Sequence, residues 1–306
     1  MTDAIKYPEN FDKYPQNVKD IIEKDILTRG EDDPVRIAYN VSLQLHKGQK
    51  RKGIFKPDYI THPLQVYDLV KKCIESKCVG SEKFPDLDVT LVAALLHDGI
   101  EDYKKDDVKK YMALISAGMD PKDAGVNPYV AHEEAENIIK EAFSDRKFAD
   151  KLLKLVHEVT NPAEFTDEVG KEISKIEWQV KKIKNVSTNA KLIKICDKTM
   201  STVSNIEEVP NWRYKKLGDN IKESVAVVNA AQENVEKSDR YFPAVEHAAK
   251  IFNLVARGSK QILKGMKSDG IKAPPEHQVA SFSLKIIEEM IETKNTKNKQ
   301  NKTLGR

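Results

Sequence analysis

The stretch Leu91-Val92-Ala93-Ala94-Leu95-Leu96-His97-Asp98-Gly99-Ile100-Glu101-Asp102 runs an apolar segment into four ionisable residues. Burying that many ionisable groups is costly unless a cation or a substrate compensates them. If the stretch is helical, His97 and Glu101 are four apart, as are Asp98 and Asp102, so all four leave neighbouring parts of one surface. Two other places put a similar residue where packing alone gives no reason for it. His62 precedes Pro63, and Asp197 closes the apolar run Leu192-Ile193-Lys194-Ile195-Cys196. Each has a bland reading by itself: a charged helix end that meets solvent, or a buried carboxylate paired to a nearby lysine. Taken together, two imidazoles and two carboxylates are a nitrogen and oxygen donor set. Such a set suits a borderline divalent metal better than a thiolate-preferring one. A six-coordinate ion held by four protein ligands keeps positions open for water and substrate. These residues lie far apart in the chain, so helices must bring them together.

Those helices are legible as hydrophobic periodicity. Val18 to Leu27 forms a short candidate helix. Asp33-Pro34 pairs a capping residue with proline at the first helical position, and Ile37, Ala38, Val41 and Leu45 follow at helical spacing until His46-Lys47-Gly48. The basic loop from Gln49 to Thr61 leads into His62-Pro63, which opens a helix through Leu64, Leu69, Val70 and Ile74. Asp86 or Asp88 can cap the central helix. Tyr103 to Ala131 is rich in Lys and Asp, is broken by Gly118, Pro121, Gly125 and Pro128, and reads as a surface insertion. Helices are then predicted over roughly 133–143, 148–157, 173–183, from Ser187 or Thr188 past Asp197, and over 213–235, 244–257 and 279–291. Nothing alternates with period two between turn pairs, so no sheet is predicted and the fold class is all-α. The expected organisation is a helical lead-in over 1–30, a main domain over 31–235 with the insertion near 104–131, C-terminal helices over 236–293, and a disordered polar tail over 294–306.

Composition narrows the function classes. A net charge of +3 over 306 residues gives no argument for nucleic acid or a membrane surface as partner. Cys73, Cys78 and Cys196 are an odd number without paired metal spacing, which points to a reducing compartment and no disulfide framework. The N-terminus lacks an apolar signal-peptide core and no apolar run approaches a membrane span, so a cytoplasmic protein is expected.

Five segments occur in a recognisable order: His46-Lys47-Gly48-Gln49-Lys50-Arg51-Lys52, Tyr59-Ile60-Thr61-His62-Pro63, Ala94 to Asp102, Val159-Thr160, and Lys191 to Lys198. Over about residues 31–230 the chain resembles the HD-superfamily metal phosphohydrolases, most closely the hydrolase domain of the RelA/SpoT alarmone enzymes and their small hydrolase-only members. The resemblance implies an HD-type helical bundle, with the C-terminal helices as an extension. It implies one Mn²⁺ on His62, His97, Asp98 and Asp197, and removal of the 3'-pyrophosphate from guanosine tetra- and pentaphosphate. Glu101 and Asp102 match the acidic pair that positions or activates the attacking water. Arg51 matches the residue that stacks on guanine, and Lys52 lies beside it as a phosphate contact. Ser201 stands where the family often has an Asn of the nucleotide pocket. Pro57-Asp58-Tyr59 replaces the usual Pro-Tyr. No synthetase domain is recognisable, so hydrolysis without synthesis is expected, with a guanine nucleotide as partner. Two alternatives stay open at this stage: an HD-type enzyme for another nucleotide, such as a nucleoside monophosphate or NADPH, and a catalytically silent nucleotide-binding regulatory module.

Overall fold

Asp33 accepts a hydrogen bond from the backbone N–H of Val35, and Pro34 supplies a first residue that has no N–H to satisfy. The helix so started, α2 (Pro34–Leu45), buries Val35, Ala38, Tyr39, Val41 and Leu45 along one stripe. Gly48, with φ of +74°, turns the chain after it, a conformation that costs a residue with a Cβ. The same chemistry of caps and apolar stripes builds the rest of this computed structural model. It describes residues 7–8, 10–51, 56–120, 122–123, 125, 127–162, 165–167, 169–207 and 214–268.

In chain order the helices are α1 (Gln16–Asp20), α2, α3 (Thr61–Lys77), α4 (Leu87–Leu96), α5 (Gly99–Asp102), α6 (Lys105–Ser116), α7 (Pro128–Ala142), α8 (Arg146–Val159), α9 (Lys175–Asn185), α10 (Thr188–Glu207), α11 (Tyr214–Glu233) and α12 (Phe242–Ser268). The fold is all-α. No strand occurs among the described residues, only two isolated bridges, Lys50 with Asp58 and Thr166 with Glu172.

The chain divides into two units. The first comprises residues 1–50, 57–67 and 88–174. Its core is built where α2 meets α5 and α7, and α7 meets α8. The buried Ser42 hydroxyl donates to the Leu95 carbonyl at 3.0 Å, which ties α2 to α4. Tyr67, on the first part of α3, donates to Asp25 at 2.7 Å, and Arg29 joins Asp25 to Asp33. That network fixes the start of α3, where His62 sits. The second unit comprises 51–56, 68–87 and 175–306. Here α10 packs on α11 and α12, and α11 also packs on α9. Ser187 caps α10 through the Ala190 N–H. Most of α10 is buried on all sides, including Leu192, Ile193, Ile195, Cys196, Met200 and Val203. A helix that apolar all round is a core helix, so any charge on it needs partners.

Four expectations change in the structure. The central segment is not one helix: α4 stops at Leu96, His97 and Asp98 form a turn, and α5 is a separate short helix. Asp98 opens α5 with φ of −99° and ψ of −4°, the sparsely populated region between helix and strand. Val18 to Leu27 is α1 followed by a π-helical stretch over Ile21–Ile26. The proposed insertion carries a mostly exposed helix, α6, rather than loop alone. The helix expected over 244–257 extends to Ser268 as α12. The expected helix over 279–291 and the tail over 294–306 lie outside the described residues. Asp86 spends its carboxylate on Asn189, Arg240 and Tyr241. Cys73, Cys78 and Cys196 are all free and buried.

Candidate metal centre

His97 is fully buried, and its Nδ1 lies 2.9 Å from the Ala94 carbonyl. A carbonyl can only accept, so Nδ1 carries the hydrogen and Nε2 presents its lone pair. This is the arrangement that orients a metal-binding imidazole. His62, 1% exposed, starts α3 with its ring centroid 5.2 Å from that of His97. Asp98 Oδ2 lies 3.2 Å from His97 Nε2 and 3.6 Å from His62 Nε2. Two ligands bound at about 2.1 Å and roughly 90–109° apart sit about 3.0–3.4 Å from each other, so the 3.2 Å spacing suits neighbours around one ion and the 3.6 Å spacing lies just beyond it. A carboxylate oxygen facing imidazole lone pairs is repulsive unless a proton or a cation lies between them. His62 and His97 are both buried, and so, on α10 of the second unit, is Asp197. The donor set is nitrogen and oxygen only. The thiol of Cys196, next to Asp197, is pushed up by burial and by its contact with Cys73, so it does not supply a thiolate. Two imidazoles and a carboxylate in a dry setting therefore fit a divalent metal.

Each candidate ligand is held from behind. The Tyr59 hydroxyl donates to Asp98 Oδ2 at 2.8 Å. Asp197, 6% exposed, accepts from Ser201 Oγ on Oδ1 at 3.2 Å and pairs through Oδ2 with Lys194 Nζ at 3.2 Å. Lys194 is itself buried, so this is the lysine partner that a carboxylate on an apolar helix requires. Ser201 therefore reaches a candidate ligand directly.

The acidic pair is split between two environments. Glu101 Oε2 accepts from Asn161 twice, from the backbone N–H at 3.2 Å and from Nδ2 at 2.7 Å. Asp102 is buried and pairs with Lys105. Burial works against the Lys105 ammonium, but Asp102, Glu101 and Asp98 outweigh it and hold its pKa above the usual lysine value. His132 of α7 senses Glu101 and Glu136, yet burial keeps it below the ordinary histidine range. Gly99 serves packing: a Cβ there would come 2.8 Å from Leu45 Cδ1, so any other residue would have to displace the end of that side chain.

Of the base-pocket candidates, Arg51 is partly buried and Lys52 lies outside the described residues. Asp58, the residue extra to the usual Pro-Tyr, accepts from Tyr14 at 2.7 Å and from Asn10, and pairs with Lys50. Burial opposes its ionisation, but these partners outweigh it and hold the carboxyl below the usual aspartate value. The extra residue thus pins the loop to the N-terminal segment. Sequence reasoning allowed for a lysine beside Asp197, which is Lys194, but missed Asn161 and the Tyr59 contact. The signals were present: Tyr59 precedes His62 by three residues, and Asn161 follows the polar end of α8 at Thr160.

Residues 59–201 match the HD domain. The matched segment contains His62, His97, Asp98, Glu101, Asp102, Asp197 and Ser201. An HD domain implies a metal-dependent phosphohydrolase. No curated protein matches the chain. Among the described residues, no helix is long and apolar enough to cross a membrane.

Proposed function

We propose that this HD domain removes the 3'-pyrophosphate from guanosine tetra- and pentaphosphate with one Mn²⁺. The carrying observation is the approach of Asp98 Oδ2 to both imidazoles, beside an acidic turn and downstream of the Arg51-Lys52 loop. His62, His97, Asp98 and Asp197 would hold the ion. Bound there, it would lower the pKa of water and polarise a phosphoryl oxygen. Tyr59 holds Asp98 in place, and Lys194 with Ser201 holds Asp197. Asn161 holds Glu101 through Oε2, from its backbone N–H and from Nδ2, and the carboxylate would take a proton from the attacking water. Asp102 is turned toward Lys105, so of the two carboxylates Glu101 is the better base. Arg51 would stack its guanidinium plane on guanine, and Lys52 would meet a phosphate.

The product identifies the substrate class. Purified protein given Mn²⁺ and ppGpp is expected to release pyrophosphate and GDP, and a chelator to stop it. Orthophosphate release from nucleoside monophosphates or NADPH, with ppGpp untouched, would replace this reading with another HD-type substrate. A metal-loaded protein inert on all of them would favour a regulatory module.

A further inference from the structure

His46 follows the last residue of α2, and its imidazole is 4% exposed. Its Nδ1 lies 2.9 Å from Gln49 Oε1. Gln49 Nε2 in turn donates to the Asp102 carbonyl at 2.6 Å, which fixes the amide with its oxygen toward His46. An amide oxygen only accepts, so Nδ1 carries the hydrogen and Nε2 carries the lone pair. Among the described residues no group hydrogen-bonds to Nε2, although that atom is shut off from solvent. Burial pushes the imidazole below its usual value, and Gln49, Asp98 and Asp102 restore it only in part, so the ring is neutral near pH 7. Tyr59 stacks on it at 4.7 Å between centroids and 27° between planes, and the Tyr59 hydroxyl holds Asp98. One buried ring is thus fixed to the acidic turn twice, through Gln49 to the Asp102 backbone and through Tyr59 to Asp98. Packing alone would be served as well by an apolar ring. The unmet acceptor is what packing does not explain.

We propose that His46 is a positioning residue of this site, its Nε2 accepting a hydrogen bond from the attacking water. That water has two hydrogens to place. Glu101 takes the one that leaves, and His46 takes the other, which stays on oxygen and fixes the direction of the lone pair. No proton is transferred to His46. The inference rests on the hydrolase reading above.

Two substitutions in the full chain separate the two ring nitrogens. The amide of Asn reaches the place of Nδ1 and keeps the bond to Gln49. The longer Gln reaches the place of Nε2 and restores the acceptor. His46→Asn is expected to keep the melting temperature and KM of the parent and to lose kcat at least tenfold, and His46→Gln to recover most of that loss. His46→Asn with kcat within twofold of the parent, or equal losses in both variants, would overturn the proposal. A second readout does not depend on turnover. In long-range ¹H–¹⁵N spectra of histidine-labelled protein, His46 Nε2 is expected to be unprotonated and to shift when Zn²⁺, a diamagnetic ion, is added. A protonated Nε2, or one that ignores the ion, would overturn the proposal. If the parent leaves ppGpp intact while Nε2 shifts, the substrate reading fails and the role of His46 stands.

Discussion

Tyr59→Phe removes one oxygen atom and leaves the ring. The lost group donates to Asp98 Oδ2 at 2.8 Å, the oxygen that also faces His62 and His97. A hydrogen bond to a charged acceptor contributes about 1.5–3 kcal/mol. The Asp98 side chain is 14% exposed, so water can replace the lost donor in part, which favours the lower half of that range. At about 1.4 kcal/mol per tenfold, the expected loss of metal affinity is roughly ten- to thirtyfold. Independent experience with residues that orient metal ligands, about 10–100-fold, overlaps this figure. The stack on His46 survives in Phe, so the melting temperature without metal should move little. Isothermal titration with Mn²⁺ of parent and variant measures the ratio directly. An unchanged dissociation constant would refute the reasoning, because Asp98 would then not be a ligand or would not need Tyr59 to hold it.

Further outcomes follow from the same contacts. Asp197→Ala should abolish high-affinity metal binding and take from the buried Lys194 its carboxylate at 3.2 Å, so elemental analysis should find no metal and the melting temperature should fall; a full complement of metal would remove Asp197 from the ligand set. Glu101→Gln should retain the metal and lower kcat by about 10²–10⁴-fold, since the amide cannot accept the proton; an unchanged kcat would assign the base elsewhere. The Asp58 carboxyl is held below its unfolded value, so its contribution to stability is present above about pH 4 and is lost as pH falls through its folded pKa. Asp58→Asn should therefore melt below the parent at pH 7, with the gap closing in acid; a gap independent of pH would mean that charge is not what holds the loop.

The helices were legible because amphipathic stripes and caps are local. Asp33-Pro34 and Ser187 each mark a helix start that the structure reproduces. The interruption at His97-Asp98 was not legible, because an apolar run of helical length gives no sign of where its last turn stops. The donor set could be read from residue types, and the structure brings His62, His97 and Asp98 together. What holds those donors could not be read. Asn161 lies 60 positions from Glu101 and Tyr59 lies 39 from Asp98, so both contacts are products of tertiary packing. The nearest neighbour of a Cβ at Gly99, the side chain of Leu45, is likewise set by tertiary packing.

Metal content and turnover measured on the same sample test the central claim most directly. The protein is stripped with a chelator, titrated with Mn²⁺, and assayed at each point for bound metal and for pyrophosphate released from ppGpp. The account predicts no activity in the stripped protein and a linear rise that stops at one ion per chain. Activity that survives stripping, or a full ion that brings no hydrolysis of any phosphate ester or anhydride, would contradict it.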